Sequence, residues 1–487
     1  MTTHPQTRIS SSQSLRIIRS FSLSFAIGFA SLPLVCQAPH PHPAAVSLAD
    51  QAALKRALDA YDQGDLKTAE PLLADLATRH PRSYEANEAL GSLYAESDRT
   101  DLAIKYLRQA CTLAPREAIT HANLGAAYLK SGRSSEAITE LRLALKTDPR
   151  NAGTQSNLGQ ALMLASKPAE AAKAFAAASA LEPTDPAIAY NLALALFESG
   201  SPKEASAALE RIPAASATDQ TEALAGDIAE KLGDFQQAIA HYQAAAQSNP
   251  SDANIYSLTV ELMRHWTWDQ AYKVAAFGAS RYPQSTHFVA AEGISQYGNQ
   301  HYPEAVVIFS DLLQKDPNNA LYADLLGRSC SAIAEDSSTQ CVGLDEFAHH
   351  HPENAQAATY AAVSLLHRPE AQQDQAEVKR LLDQAIAANP RLPDAYFQLA
   401  VLAQTQLRWK ESVPLLEKAI ELRPTYPEAH YRLSRAYAHL GQRDEAQQEI
   451  ALQQKYSQQA KDSLNNHLSE VVTFLVTSPN TPNDKSN

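Results

Sequence analysis

The sequence predicts an all-α protein built from about twelve consecutive helix pairs. Prolines recur at a fixed spacing, since Pro81, Pro115, Pro149 and Pro183 lie 34 residues apart. Between two such prolines, apolar and small residues recur three and four positions apart, which is the spacing of one helix face. The chain is also rich in alanine, the residue with the strongest intrinsic helix preference. A fixed period of this length is typical of a repeat architecture.

Within one period, two helices are predicted on either side of a turn that commonly contains glycine. The first helix carries Leu-Gly followed by a large residue, as in "ALGSLY" (89–94) and "NLGAAY" (123–128). The second helix places small residues around a larger apolar one, as at Ala137, Leu141 and Ala144. Small residues let two helix axes approach closely, and glycine suits the left-handed end of a helix. One pair cannot cover its own apolar face, so neighbouring pairs must stack.

These motifs closely resemble the tetratricopeptide repeat, with Leu-Gly-x-x-Tyr, then Ala-x-x-x-Leu or aromatic-x-x-Ala, then Pro. The resemblance covers residues 50–460 and is loosest over 252–285 and 320–390. It implies a right-handed α-solenoid whose first helices line a concave inner wall. It also implies that the partners are other proteins or peptide segments.

The N-terminus has the features of a secretory signal peptide over 1–38. Three arginines and several serines precede the apolar run Phe21–Val35, and small residues lead to a cleavage site at Ala38. The run is too short for a typical membrane helix, so we expect no membrane span after the signal is removed. We therefore expect export to a periplasm or outside the cell. Mitochondrial import and lipid anchoring at Cys36 are the alternatives.

The remainder of the chain divides by composition and by the regularity of the repeats. A Pro/Ala/Ser-containing stretch interrupts a second helix at 211–220 and would form a kink or a hinge. The last repeat would expose its apolar face unless a further helix covered it. The predicted segments are a Pro/His linker (39–49), an N-terminal repeat array (50–213), a C-terminal array with degenerate units (214–460), a capping helix (461–477) and a disordered tail (478–487).

Composition and motifs argue against several classes of function. The formal net charge of −13 disfavours binding to nucleic acid, which requires clustered Lys and Arg. The sequence contains no glycine-rich phosphate loop, no nucleophile elbow and no histidine pair with metal-ligand spacing. We therefore expect no enzyme activity, no catalytic residue, no metal site and no cofactor. The oligomeric state is left open.

Three cysteines follow the predicted signal peptide. Cys330 and Cys341 flank an irregular stretch and are a possible disulfide in an exported protein, with two separate buried thiols as the alternative. Cys111 lies on an apolar helix face and is expected in the core. The chain has no CxxC motif and no Cys/His array, which is why we expect no zinc site.

A ladder of asparagines is the most specific functional signal. Asn123, Asn157 and Asn191 lie 34 residues apart, at the same place in three successive first helices. An asparagine amide offers both a donor and an acceptor, so a row of them would hold the main chain of an extended peptide. The arrangement resembles the asparagine ladder of O-linked N-acetylglucosamine transferases, whose catalytic domain has no counterpart here. The predicted inner-wall neighbours are Ala126, Leu129, Gln160, Met163, Leu194 and Phe197.

The alternative for the ladder is that the amides only tie neighbouring helices together. For the whole protein, we expect an exported scaffold or adaptor that binds extended protein segments and acts in complex assembly. The alternatives are a non-catalytic subunit of a glycosyltransferase or cell-envelope assembly system, and a self-assembling structural solenoid.

Overall fold

The computed structural model describes residues 48–333, 339–367 and 375–459. In these residues the regular elements are helices and no strand is present, so the predicted all-α class is confirmed. The α-helices are, in chain order, α1 (Leu48–Asp62), α2 (Leu66–Arg79), α3 (Tyr84–Glu96), α4 (Thr100–Leu113), α5 (Ala118–Lys130), α6 (Ser134–Thr147), α7 (Ala152–Leu164), α8 (Pro168–Leu181), α9 (Pro186–Glu198), α10 (Pro202–Leu209), α11 (Asp219–Leu232), α12 (Phe235–Ser248), α13 (Asp252–Arg264), α14 (Trp268–Arg281), α15 (Thr286–Gly298), α16 (Tyr302–Lys315), α17 (Ala320–Ala332), α18 (Gly343–His350), α19 (Ala355–His367), α20 (Gln375–Ala388), α21 (Pro393–Thr405), α22 (Trp409–Leu422), α23 (Pro427–His439) and α24 (443–459).

The described helices form twelve consecutive pairs, in which the odd-numbered helix comes first. Within a pair the two helices pack along their length, as α3 does with α4 and α5 with α6. The second helix of one pair also packs on the first helix of the next, and successive first helices such as α5 and α7 touch. The predicted stacking of successive pairs is therefore present within 48–241 and within 242–459.

Close approach within a pair depends on a glycine beneath a large side chain. A Cβ atom added at Gly159 would lie 2.7 Å from Cε1 of Phe175, and the ring of Phe175 is fully buried. The same relation joins Gly125 to Leu141, where the nearest carbon would lie at 2.5 Å. Glycine at this place is thus a packing requirement.

The turn between the two helices of a pair has a left-handed residue at the same place in ten described pairs. Five of these residues are glycine, which the sequence pattern had indicated. The other five are not glycine, so the chain geometry imposes the left-handed conformation there at a cost in backbone energy. The ten residues are Gly64, Asp98, Gly132, Ser166, Gly200, Gly233, Trp266, Gln300, Leu407 and Gly441.

A histidine–glutamate pair also recurs between the first and second helices. Nδ1 of His121 lies 2.6 Å from Oε2 of Glu140, and Nδ1 of His430 lies 2.5 Å from Oε2 of Glu449. In α11 and α12 the two residue types are exchanged, with Glu222 2.7 Å from Nδ1 of His241. In all three pairs the partners are 19 residues apart in the chain, so a shared packing position accounts for them.

Two compact units make up the chain, 1–241 and 242–487, of which the described parts are 48–241 and 242–459. Their boundary lies within α12, whereas the boundary predicted from the sequence between the two repeat arrays is at 213/214. At that earlier point α10 ends after eight residues, and a 3₁₀ turn (Ala214–Ser216) precedes α11. The predicted interruption of a second helix is therefore seen.

The ninth pair is irregular in its second half. α18 has eight residues and follows a 3₁₀ turn, and Cys330 in α17 is joined to Cys341 by a disulfide. Both sulfur-bearing residues are buried within the core of this unit.

The predicted signal peptide (1–38), linker (39–49, except for its last two residues), capping helix (461–477) and tail (478–487) lie outside the described residues. At the end of the last described pair, a cavity of about 320 Å³ is lined by residues of α23 and α24, including Tyr431, Arg435 and Ile450.

Replacing Gly159 by alanine is expected to destabilise the first unit by about 1–3 kcal/mol, because the new methyl group overlaps the Phe175 ring. Urea unfolding followed by circular dichroism measures the change. Gly132→Asn is the matched control, since that turn is open and asparagine tolerates a left-handed backbone. Equal stability of the two variants would contradict the packing requirement.

Candidate functional site

The asparagine ladder lies on α5, α7 and α9, three first helices that contact one another in order. All three side chains are half-buried. Asn123 donates from Nδ2 to Oε1 of Glu88 at 3.2 Å and to Oγ of Ser92 at 3.1 Å, both on α3 of the preceding pair. Asn123 therefore ties two neighbouring pairs together, which is the structural role considered above for the whole ladder.

Asn157 and Asn191 differ from Asn123. Within the described part of the chain, neither amide makes a side-chain hydrogen bond. Each therefore keeps a donor and an acceptor for another molecule.

For Asn157, the difference arises one pair earlier in the chain. The partners of Asn123 are Glu88 and Ser92, and the equivalent positions of α5 are Ala122 and Ala126, which carry no polar side-chain atom. Asn157, on the next helix, thus meets methyl groups where Asn123 meets oxygens. The same residue at the same place has a different role because its neighbour changed.

The predicted inner-wall neighbours fall into two groups. Ala126, Leu129 and Gln160 are buried, with 6%, 6% and 3% of their surface exposed, so they offer little surface to a partner. Met163, Leu194 and Phe197 are only partly buried and pack at the edge of the core.

Leu164, which the sequence analysis did not select, is 47% exposed beside Met163 at the end of α7. Its exposure had no signal in the helical apolar pattern, because leucine is common on the buried face as well. We define the open strip as Asn157, Met163, Leu164, Asn191, Leu194 and Phe197.

The part of the inner wall before the open strip is closed by polar contacts. The hydroxyl of Tyr61 donates to Oε1 of Glu96 at 2.7 Å, and Nζ of Lys130 donates to the carbonyl of Ala95 at 3.3 Å and pairs with Asp98. These groups are already engaged with the protein. The open strip follows on α7 and α9, where the two amides make no side-chain hydrogen bond within the described residues.

Glu88 is a buried carboxylate at the boundary of the closed part. Burial raises the pKa of Glu88 above the ordinary range, and hydrogen bonds from Ser92 and Asn123 lower it in part. The Ser92 hydroxyl lies 3.1 Å from Oε1 of Glu88. The carboxylate is therefore held by two donors in a position that disfavours its charge.

Comparison with known families identifies the repeat. Two family models, both described as Tetratricopeptide repeat, match the chain, one over residues 54–118, 99–152, 122–185 and 224–262, the other over 162–226 and 406–462. Together they cover more than half of the sequence. The chain belongs to the tetratricopeptide repeat family. Its unmatched residues 263–405 still form helix pairs in the described segments, so the fold continues where the sequence motif is weak.

Several solved structures are similar to parts of this tetratricopeptide repeat protein. The pilF protein of Pseudomonas aeruginosa is 21% identical, over 42% of this chain and 94% of its own, with a TM-score of 0.36. PilW, a type IV pilus biogenesis factor, is 19% identical over 45% of this chain and 100% of its own, with a TM-score of 0.37. A Naa15/Naa10 complex bound to HypK is 14% identical over 83% and 68%, with a TM-score of 0.35.

No curated protein matches the sequence. As a tetratricopeptide repeat protein, the chain is a protein-interaction scaffold. Among the described residues, no helix is long and apolar enough to cross a membrane.

Replacing Glu88 by glutamine is expected to raise the melting temperature at pH 8, because glutamine keeps the accepting oxygen without a buried charge. When folding raises the pKa of a carboxyl, the folded protein loses stability as the pH rises from the pKa of the unfolded state to the pKa of the folded state. The gain should therefore disappear below about pH 4, where the unfolded chain is protonated as well.

Thermal unfolding of both proteins from pH 3.5 to pH 8 measures this dependence. Glu85→Gln, at an exposed carboxylate of the same helix, is the matched control and should show no such gain. A lower melting temperature of Glu88→Gln at pH 8 would show that the hydrogen bonds outweigh the burial cost.

Proposed function

We propose that the protein is an exported scaffold that binds extended protein segments along the open strip, without catalytic activity of its own. The observation that carries this proposal is the pair of amides at Asn157 and Asn191. Both are half-buried, both make no side-chain hydrogen bond within the described chain, and both lie in helices that end in partly exposed apolar side chains. Such a surface combines polar anchoring with apolar contact.

The spacing of the helices suits an extended main chain. Packed helices lie about 8–10 Å apart, and an extended peptide rises about 3.3 Å per residue. Asn157 and Asn191 would therefore contact peptide residues that lie about three positions apart. Each amide would donate to one peptide carbonyl and accept from one peptide N–H.

Binding of this kind tolerates many peptide sequences, because the main chain is common to all of them. Met163, Leu164, Leu194 and Phe197 add apolar contact, which favours peptides with apolar residues at intervals. The receptor is preformed, so little folding cost falls on its side of the complex. A scaffold that holds segments of several proteins is the function that follows.

Two features support export. The N-terminal residues 1–38 have the pattern of a secretory signal. The disulfide between Cys330 and Cys341 is typical of proteins from oxidising compartments. We propose the periplasm or the extracellular space as the location.

Export predicts a mature protein that begins after Ala38 and contains one disulfide and one free thiol. Intact-mass measurement of protein recovered from native cells, with and without reduction and alkylation, checks both features. An unprocessed chain with all thiols reduced would contradict export. Cleavage before Cys36, with lipid attached to that residue, would identify an anchored protein instead.

Peptide binding is tested with the double variant Asn157→Ala/Asn191→Ala. Peptides selected from a random display library on the full chain are labelled, and their Kd is measured by fluorescence polarisation. Loss of four hydrogen bonds of roughly 1 kcal/mol each should weaken binding by about 4 kcal/mol, roughly 700-fold. The melting temperature should stay unchanged, because neither amide is bonded within the described chain.

Gln237→Ala is the matched control, since it removes an exposed amide from the second helix α12. Equal affinity of the double variant and the control for the selected peptides would exclude the open strip as the binding site. Sedimentation at several concentrations in the same buffer distinguishes a self-assembling solenoid, whose mass would rise with concentration.

A further inference from the structure

Three side chains with metal-ligating atoms converge at the junction of the second and third pairs. Cys111 comes from α4, His121 from α5 and Glu140 from α6. One ligand atom of each residue lies within 4.8 Å of those of the other two. The three ligand types, a thiol, an imidazole and a carboxylate, are those that bind Zn²⁺ in proteins.

The histidine ring is oriented in the way that metal-binding histidines usually are. Nε2 of His121 lies 3.2 Å from the carbonyl oxygen of Pro115 and donates to it, because a carbonyl only accepts. Nδ1 faces Oε2 of Glu140 at 2.6 Å. A ligating histidine typically donates its second N–H to a backbone carbonyl in this manner.

The contact between Nδ1 and Glu140 requires a proton between the two atoms, on whichever of them it resides. A cation that binds both atoms would displace that proton. Cys111 is only half-buried. A thiol binds a metal as the thiolate, so Cys111 would lose its proton to a bound cation.

The twelfth pair contains the same arrangement without the sulfur. His430 contacts Glu449 through Nδ1 and the carbonyl of Pro424 through Nε2, at 2.5 and 3.0 Å. The place of Cys111 in the preceding helix is taken by Ile420, which is likewise partly buried against the core. The histidine–glutamate pair is thus a packing element of the repeat, and the third ligand is found at only one of these two equivalent places.

We propose that Cys111, His121 and Glu140 form a Zn²⁺ site with a fourth position open to solvent or to a group of a partner. The site joins the second pair to the third, because α4 belongs to one and α5 and α6 to the other. Zinc binding releases the thiol proton and the proton between His121 and Glu140, so two protons leave for each metal bound.

From the sequence no metal site is expected, because common zinc motifs have closely spaced ligands. Here the spacings are 10 and 19 residues, and three different helices supply the ligands. Only the packing of the second helix of one pair on the first helix of the next brings Cys111 to the histidine.

The test uses the full chain with Cys36→Ser, so that Cys111 is the single thiol outside the disulfide. Co²⁺ is added as the spectroscopic probe, and the thiolate-to-metal charge-transfer band in the near ultraviolet is recorded. Zn²⁺ should then abolish the band at one equivalent. Calorimetry in two buffers of different ionisation enthalpy should report two protons released per Zn²⁺.

Two variants decide the outcome. Cys111→Ser should lose the cobalt band and bind Zn²⁺ at least about 100-fold more weakly, the upper end of the loss seen when an outer-shell partner is removed. Ile420→Cys should add the missing ligand to the twelfth pair and raise the cobalt stoichiometry from one to two. No band in the parent protein, or unchanged zinc affinity in Cys111→Ser, would overturn the proposal.

Discussion

The architecture depends on the close approach of the two helices within each pair. Where Gly159 meets Phe175 and Gly125 meets Leu141, no space remains for one further carbon atom. The large side chain is fully buried because the glycine leaves room for it, and such burial is the main favourable term in folding. A pair packed in this way still exposes its outer faces, so stacking on the next pair follows.

In the ninth pair, the glycine does not pack against a large side chain of its own pair. Gly327 lies at the usual place in α17, but the side chain it faces is Tyr360 of the following pair. The second helix α18 is correspondingly short. The disulfide from Cys330 to Cys341 links α17 to the segment before α18, and such a link restricts the unfolded chain. A covalent bond thus stabilises the pair in which helix packing is reduced.

The repeat period was enough to predict the fold class and the number of helix pairs, because glycine, proline and apolar spacing are local signals. The period was not enough to predict whether each candidate side chain is hydrogen-bonded or buried. Asn123 is hydrogen-bonded, and Asn157 has no side-chain hydrogen bond within the described residues, because Glu88 precedes the first and Ala122 the second by about one period. Burial of Leu129 and Gln160 likewise depends on neighbouring helices that the sequence pattern does not resolve.

Both proposed sites arise where two repeats differ at equivalent positions. A fixed framework places equivalent positions of successive pairs beside one another, so one substitution changes the surroundings of the next repeat as well as its own. Alanine in place of Glu88 and Ser92 leaves an amide available at Asn157, and cysteine in place of isoleucine adds a third ligand beside His121. In a repeat protein of this kind, the informative comparison is therefore between equivalent positions of different repeats, together with the positions that they contact in the next repeat.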